Sequence, residues 1–152
     1  MSNSDIGEIE RLSIVQACTN LIYRFAERTD ACDADALADM FVEDGVFARP
    51  SMPDKPIRGR ETIRAQFRAR PPGKLTRHLC INPAVTVVSA REARAHSYIL
   101  LYTGTLAEDA VLPVAADAKQ LLGAFADSFM CDSDGVWKFR ERQGSLALTI
   151  GG

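Results

Sequence analysis

A basic excess, paired cysteines and long apolar runs are all missing from this sequence, and each absence removes a class of function. Lysine and arginine number 18 against 20 aspartates and glutamates, a formal net charge of −2. Nucleic-acid binding and polybasic membrane attachment need clustered Lys/Arg, so neither kind of partner is expected. The four cysteines, Cys18, Cys32, Cys80 and Cys131, are scattered, with no C-x-x-C pair. His78 lies close to Cys80, but one such neighbour makes no zinc site, and no metal is expected. Reduced, mostly buried thiols are the expected state. No apolar run approaches the roughly 20 residues of a spanning helix. The opening Met1-Ser2-Asn3-Ser4-Asp5 has no basic stretch followed by an apolar one. A signal peptide is therefore not expected, and the expected location is cytoplasmic. Phosphate-binding Gly-rich loops, nucleophile elbows and internal repeats are absent too.

What is present is an ordinary globular composition: 152 residues, 47% apolar and 25% charged. That length suits one domain over 1–152, able to bury roughly two thirds of its unfolded surface. Ile6, Ile9, Leu12, Ile14, Val15, Cys18, Leu21, Ile22, Phe25 and Ala26 form a helical stripe running to about Arg28, with Ser4 or Asp5 as cap. Asp33 reads as the cap of a second helix bearing Leu37, Met40 and Phe41. Glu43-Asp44-Gly45 then turns the chain into a short strand, Val46-Phe47-Ala48. Pro50, Pro53 and Pro56 mark a loop, and Glu61–Ala69 reads as a third helix with Ile63 and Phe67 buried. Beyond Pro71-Pro72-Gly73 the period changes to two. Strands are expected over 76–89, 92–104, 119–132 and 136–148, the last two joined at the hairpin signal Asp134-Gly135. Helices first and antiparallel strands afterwards predict an α+β fold, with helices on one face of a curled sheet.

Several motifs in this order resemble the SnoaL-like branch of the nuclear-transport-factor-2-like superfamily. They are Leu21-Ile22-Tyr23-Arg24-Phe25-Ala26-Glu27-Arg28-Thr29-Asp30, Leu37-Ala38-Asp39-Met40-Phe41-Val42-Glu43-Asp44, Gly59-Arg60-Glu61-Thr62-Ile63, Arg77-His78 with Asn82, and Asp134-Gly135-Val136-Trp137-Lys138-Phe139. The resemblance implies a cone-shaped α+β barrel, strongly curved and mostly antiparallel, with a pocket between helices and sheet. It does not imply one reaction, because the superfamily holds dehydratases, isomerases, cyclases, dehydrochlorinases and non-catalytic subunits.

Within that cone Asp30 and His78 can face each other across the pocket. The pair resembles the Asp/His dyad of scytalone dehydratase and of hexachlorocyclohexane dehydrochlorinase. A carboxylate bonded to one imidazole nitrogen sets the tautomer and supports the charge gained with a proton, so the resemblance implies His78 as base and Asp30 as its orienter. The plain alternative is a helix-end cap and a satisfied core histidine.

Asp127 shares strand parity with Phe125 and Phe129. Lost hydration between aromatic rings favours its neutral form, a hydrogen-bond donor of the kind ketosteroid isomerases use. A two-residue turn at Asp134-Gly135 instead sets Asp127 opposite Arg142, as a charged cross-strand pair. Asp127 and Arg142, with Asn82, Phe25 and Phe129, are the candidate substrate contacts. Arg49 stands where ketosteroid isomerases carry their proton-shuttling carboxylate, and Phe25 where several relatives place a pocket Tyr or Lys. His96 reads as outer-face, Ser97 as inward, and Tyr23 as a surface residue.

The expected function is that of a lyase of the dehydratase type, needing no cofactor and acting on a small, largely apolar, cyclic molecule. An isomerase or polyketide cyclase using the same base is one alternative. The other is a non-catalytic ligand-binding protein or a module resembling the β subunits of ring-hydroxylating dioxygenases. A homo-oligomer, dimer or trimer, is expected, with Trp137, Phe139 and Met130 as outward contact candidates.

Overall fold

The computed structural model describes residues 6–151, so the caps expected at Ser4 or Asp5 lie outside the described residues. Helix α1 spans Glu8–Asp30 behind an N-cap at Gly7, and buries Ile14, Cys18, Ile22, Phe25, Ala26 and Thr29 along one stripe. Asp33 accepts the amide N–H of Ala36 at 3.0 Å and caps α2, Ala34–Asp39. Strand β1 runs Phe41–Ala48, and β2 is the two-residue Ile57–Arg58 in the proline-rich segment. Helix α3, Arg60–Arg68, buries Ile63 completely. The long strands β3 (Lys74–Ser89), β4 (Glu92–Thr105), β5 (Gln120–Cys131) and β6 (Trp137–Ile150) follow.

These six strands form one sheet in the order β2-β1-β6-β5-β4-β3, antiparallel except for the parallel β1–β6 pair. The sheet curls around the helices without closing, giving the expected α+β cone. No helix among the described residues is long and apolar enough to cross a membrane. The cysteines are free, but only Cys18 is fully buried; Cys80 and Cys131 are half-buried and Cys32 is exposed.

Three of the five register shifts among the described residues bear on the expected alternation. Glu43-Asp44-Gly45 is an irregular step inside β1, not a turn before it, because pairing with β6 slips between Phe41 and Val46. In β3 the register slips between Ile81 and Ala84, where Asn82 takes a left-handed φ of 52°. Inward positions are Thr76, His78 and Cys80 before this bulge and Val85 and Val87 after it. A slip between Ser128 and Phe129 leaves Arg140 as an extra residue in β6. The β5–β6 connection is longer than two residues, since β5 ends at Cys131, yet this bulge still brings Asp127 opposite Arg142. It also turns Phe139 into the core and packs Trp137 against it, so neither is the outward contact expected. His96 is on the outer face, edge-on to Tyr98.

All seven phenylalanines pack inside or against the interior, and Arg142 sits among them. Its guanidinium carbon lies 4.7, 3.8 and 4.9 Å from the ring centroids of Phe25, Phe125 and Phe139. Nη1 donates to Asp127 Oδ2 at 2.6 Å, while Nε and Nη2 have no hydrogen-bond partner among the described residues. Arg142 is 0% and Asp127 4% exposed. Stranding either charge would be costly in such surroundings. Asp127→Ala is expected to lower unfolding free energy by about 3–5 kcal/mol in urea titrations, and Asp127→Leu with Arg142→Met to recover most of it.

Candidate active site

Asp30 is the last residue of α1, where the negative end of the helix dipole disfavours a carboxylate. Donors from β3 offset this. Oδ1 accepts from Thr76 Oγ1 at 2.9 Å and lies 2.6 Å from His78 Nδ1. Oδ2 accepts the backbone N–H of His78 at 2.9 Å. Burial pushes the Asp30 carboxyl upward, but the bonds from His78 and Thr76 outweigh it and hold the group below the ordinary aspartate value. An ionised carboxylate only accepts, so the shared proton belongs on Nδ1 and the lone pair on Nε2.

A second layer fixes these donors. Arg70 Nη2 donates to Thr76 Oγ1 at 3.1 Å, which directs the single hydroxyl proton of Thr76 toward Asp30. Arg70 Nη1 donates to the Thr29 carbonyl at 3.0 Å. One side chain thus ties the end of α1 to β3.

His78 faces a cavity of about 350 Å³ between α1, α3 and the inner face of the sheet. Phe25, Phe47, Phe67, Ile99 and Phe125 supply most of its apolar wall, with Cys80 beside His78. Arg49, Pro50, Ser51, Gln66 and Arg70 also line it, and all five are half-buried or exposed, which places them toward the mouth. The Arg49-Pro50 segment crosses close to β6: a Cβ on Gly144 would stand 2.5 Å from Pro50 N.

The structure therefore brings His78 and Phe25 to the cavity wall, with Asp30 bonded to His78 from behind and not itself lining the cavity. Arg142 also lines the cavity, though it is 0% exposed and its guanidinium packs against the rings of Phe25, Phe125 and Phe139. Asp127 is behind Arg142 and does not line the cavity, and it is the ion-paired alternative that the geometry adopts. Burial nevertheless pushes Asp127 up to about 6, against the pull of Arg142. Phe129 is core, 5.0 Å from Phe139 between ring centroids, and Asn82 is exposed at the β3 bulge; neither lines the cavity. Ser97 is inward and fully buried, and Tyr23 is exposed. Sequence reasoning passed over Thr76, Cys80 and Arg70. The first two share the inward parity of His78 and were readable from it. Arg70, between a helix end and Pro71, carries no pattern.

The model of the SnoaL-like domain family matches residues 10–143. The chain belongs to that family. No curated protein gives a significant sequence match. Among solved structures, this SnoaL-like chain is similar to a protein of Novosphingobium aromaticivorans DSM 12444 provisionally named a scytalone dehydratase. That pair shares 22% identity and a TM-score of 0.79, over 96% of this chain and 92% of the other. A type 2 hexachlorocyclohexane dehydrochlorinase is 18% identical with a TM-score of 0.78, over 96% and 93%. ActVI-ORFA from Streptomyces coelicolor is 21% identical with a TM-score of 0.69, over 88% and 97%. At these identities the likeness establishes the cone fold shared by SnoaL-like proteins.

Asp30 and Asp127 act oppositely on stability. Asp30, held below its ordinary pKa, contributes stability that is present above that value and is lost as pH falls through the depressed one. Asp127, raised to about 6, contributes below the ordinary value and loses that contribution as pH rises through about 6. Asp30→Asn is accordingly expected to flatten the acid-side loss of stability. Urea midpoints compared between about pH 3 and pH 7 check this.

Proposed function

We propose that this SnoaL-like protein is a lyase of the dehydratase type that uses His78 as its base and acts on a small cyclic molecule. The observation that carries this reading is the 2.6 Å contact between His78 Nδ1 and Asp30 beside an open cavity. Nε2 takes a proton from a carbon next to a carbonyl or similar activating group. Asp30 holds the imidazolium that results. The electron pair then expels a hydroxyl or halide from the adjacent carbon; a departing hydroxyl takes the Nε2 proton back and leaves as water, whereas with a halide the Nε2 proton passes to solvent, and either route regenerates the base.

Positioned proton transfer of this kind supplies roughly 10²–10⁴-fold, and a water-poor aromatic cavity strengthens the electrostatics around it. The names of the similar structures, a scytalone dehydratase and a dehydrochlorinase, support elimination. An isomerase or cyclase would use the same base and differ only in product. The cavity counts against a dioxygenase β-subunit-like role, in which bulky side chains would fill that space.

Turnover is screened as water or halide release from cyclic hydroxyketones and halogenated alicyclic compounds. On a substrate so found, His78→Ala is expected to lower kcat/KM by roughly 10²–10⁴-fold with an unchanged circular dichroism spectrum. Turnover by His78→Ala at the wild-type rate overturns the reading.

A further inference from the structure

The charge around the cavity specifies its occupant more closely than the dyad does. Three arginines line the cavity, Arg49, Arg70 and Arg142, and no aspartate or glutamate does. Arg142 is neutralised by Asp127 and fully buried, so Arg49 and Arg70 set the sign of the mouth. Arg49 Nη2 donates to Gln66 Oε1 at 3.2 Å, and Arg70 donates to the Thr29 carbonyl and the Thr76 hydroxyl. Every one of these acceptors is uncharged. Neither guanidinium forms an ion pair among the described residues, and each keeps N–H groups with no protein partner. By contrast Arg28, Arg64 and Arg68 are matched with carboxylates on the surface.

Two guanidiniums with no carboxylate bonded to them, beside low-dielectric aromatic walls, focus a positive potential into the mouth, offset on the Arg70 side by the ionised Asp30 that shares Thr76 with it. A guanidinium fork matches the planar geometry of a carboxylate. The helix end nearest the mouth is the C-terminus of α3, represented there by Gln66, Phe67 and Ala69. Its carbonyl ends disfavour any anion and a multiply charged one most, and the helix N-terminal amides that phosphate sites favour are not at the mouth. A singly charged carboxylate fits this arrangement better than a phosphate. The apolar wall, built on Phe25, Phe47 and Phe67, suits a ring system.

We propose that the cavity takes a small cyclic carboxylic acid in its ionised form, with the carboxylate held at the mouth by Arg49 and Arg70 and the ring inside, toward His78. This deepens the elimination reading and rests on the same cavity being the working site, but it concerns binding and not proton transfer. The test is calorimetric titration with 2-naphthoate and the uncharged, near-isosteric 2-naphthamide at low ionic strength. Naphthoate is expected to bind about tenfold or more tightly than the amide, and added salt is expected to narrow the difference.

Arg49→Gln is expected to reduce the preference several-fold and Arg49→Lys to retain part of it, since charge survives and the fork does not. His78→Ala is expected to keep the preference, so failure of the base reading and failure of this one are distinguishable. Equal affinity for acid and amide, no binding of naphthoate up to millimolar concentration, or an unchanged preference in Arg49→Gln overturns the proposal.

Discussion

The carboxylate of Asp30 is the point on which both architecture and candidate chemistry depend. It ends α1 at the unfavourable pole of the helix dipole, yet it accepts three bonds from β3: the hydroxyl of Thr76 and the ring and backbone N–H of His78. Those bonds dock the long helix on the edge strand. They also orient the imidazole and leave Nε2 as its free lone pair. Arg70 completes the arrangement by pinning Thr76 from the other side. Helix docking and histidine orientation are thus consequences of one saturated anion.

The second buried carboxylate is used differently. Asp127 faces Arg142 in a nest of phenylalanines, out of reach of the cavity. Its charge is needed where it stands, because an isolated guanidinium in that aromatic interior would be far costlier than the pair. The pair leaves the cavity floor apolar and nearly neutral, so the mouth arginines govern the sign of the potential there. The two aspartates serve separate ends: the half-buried Asp30 orients a histidine, and the buried Asp127 neutralises an arginine.

Much of the fold was legible from periodicity. The long strands begin and end within two residues of where alternation put them, and Asp33 caps α2 as read. The Asp30–His78 pair was legible only through resemblance to a family whose cone brings the helix end to that strand. Failures came where alternation slips. A bulge at Asn82 carries that side chain out of the inward row that Thr76, His78 and Cys80 share. Another, at Arg140, turns Phe139 inward and still restores the Asp127–Arg142 pairing that a shorter turn had suggested. A single inserted residue reverses every later position on a strand, and no local pattern announces it.

The sequence by itself determined the elements, their order and the class of fold, because apolar spacing and turn residues act over short range. It also determined that Asp30, His78, Asp127 and Arg142 were polar residues set among apolar ones. Which of them meet was decided only by tertiary structure. Whether a carboxylate orients a histidine or neutralises an arginine depends on partners brought from distant strands, and on how much water the surrounding rings exclude. The same holds for the mouth: Arg49 stands out along the chain only as a departure from ketosteroid isomerases and Arg70 not at all, and only the curled sheet and the end of α3 set both on one cavity.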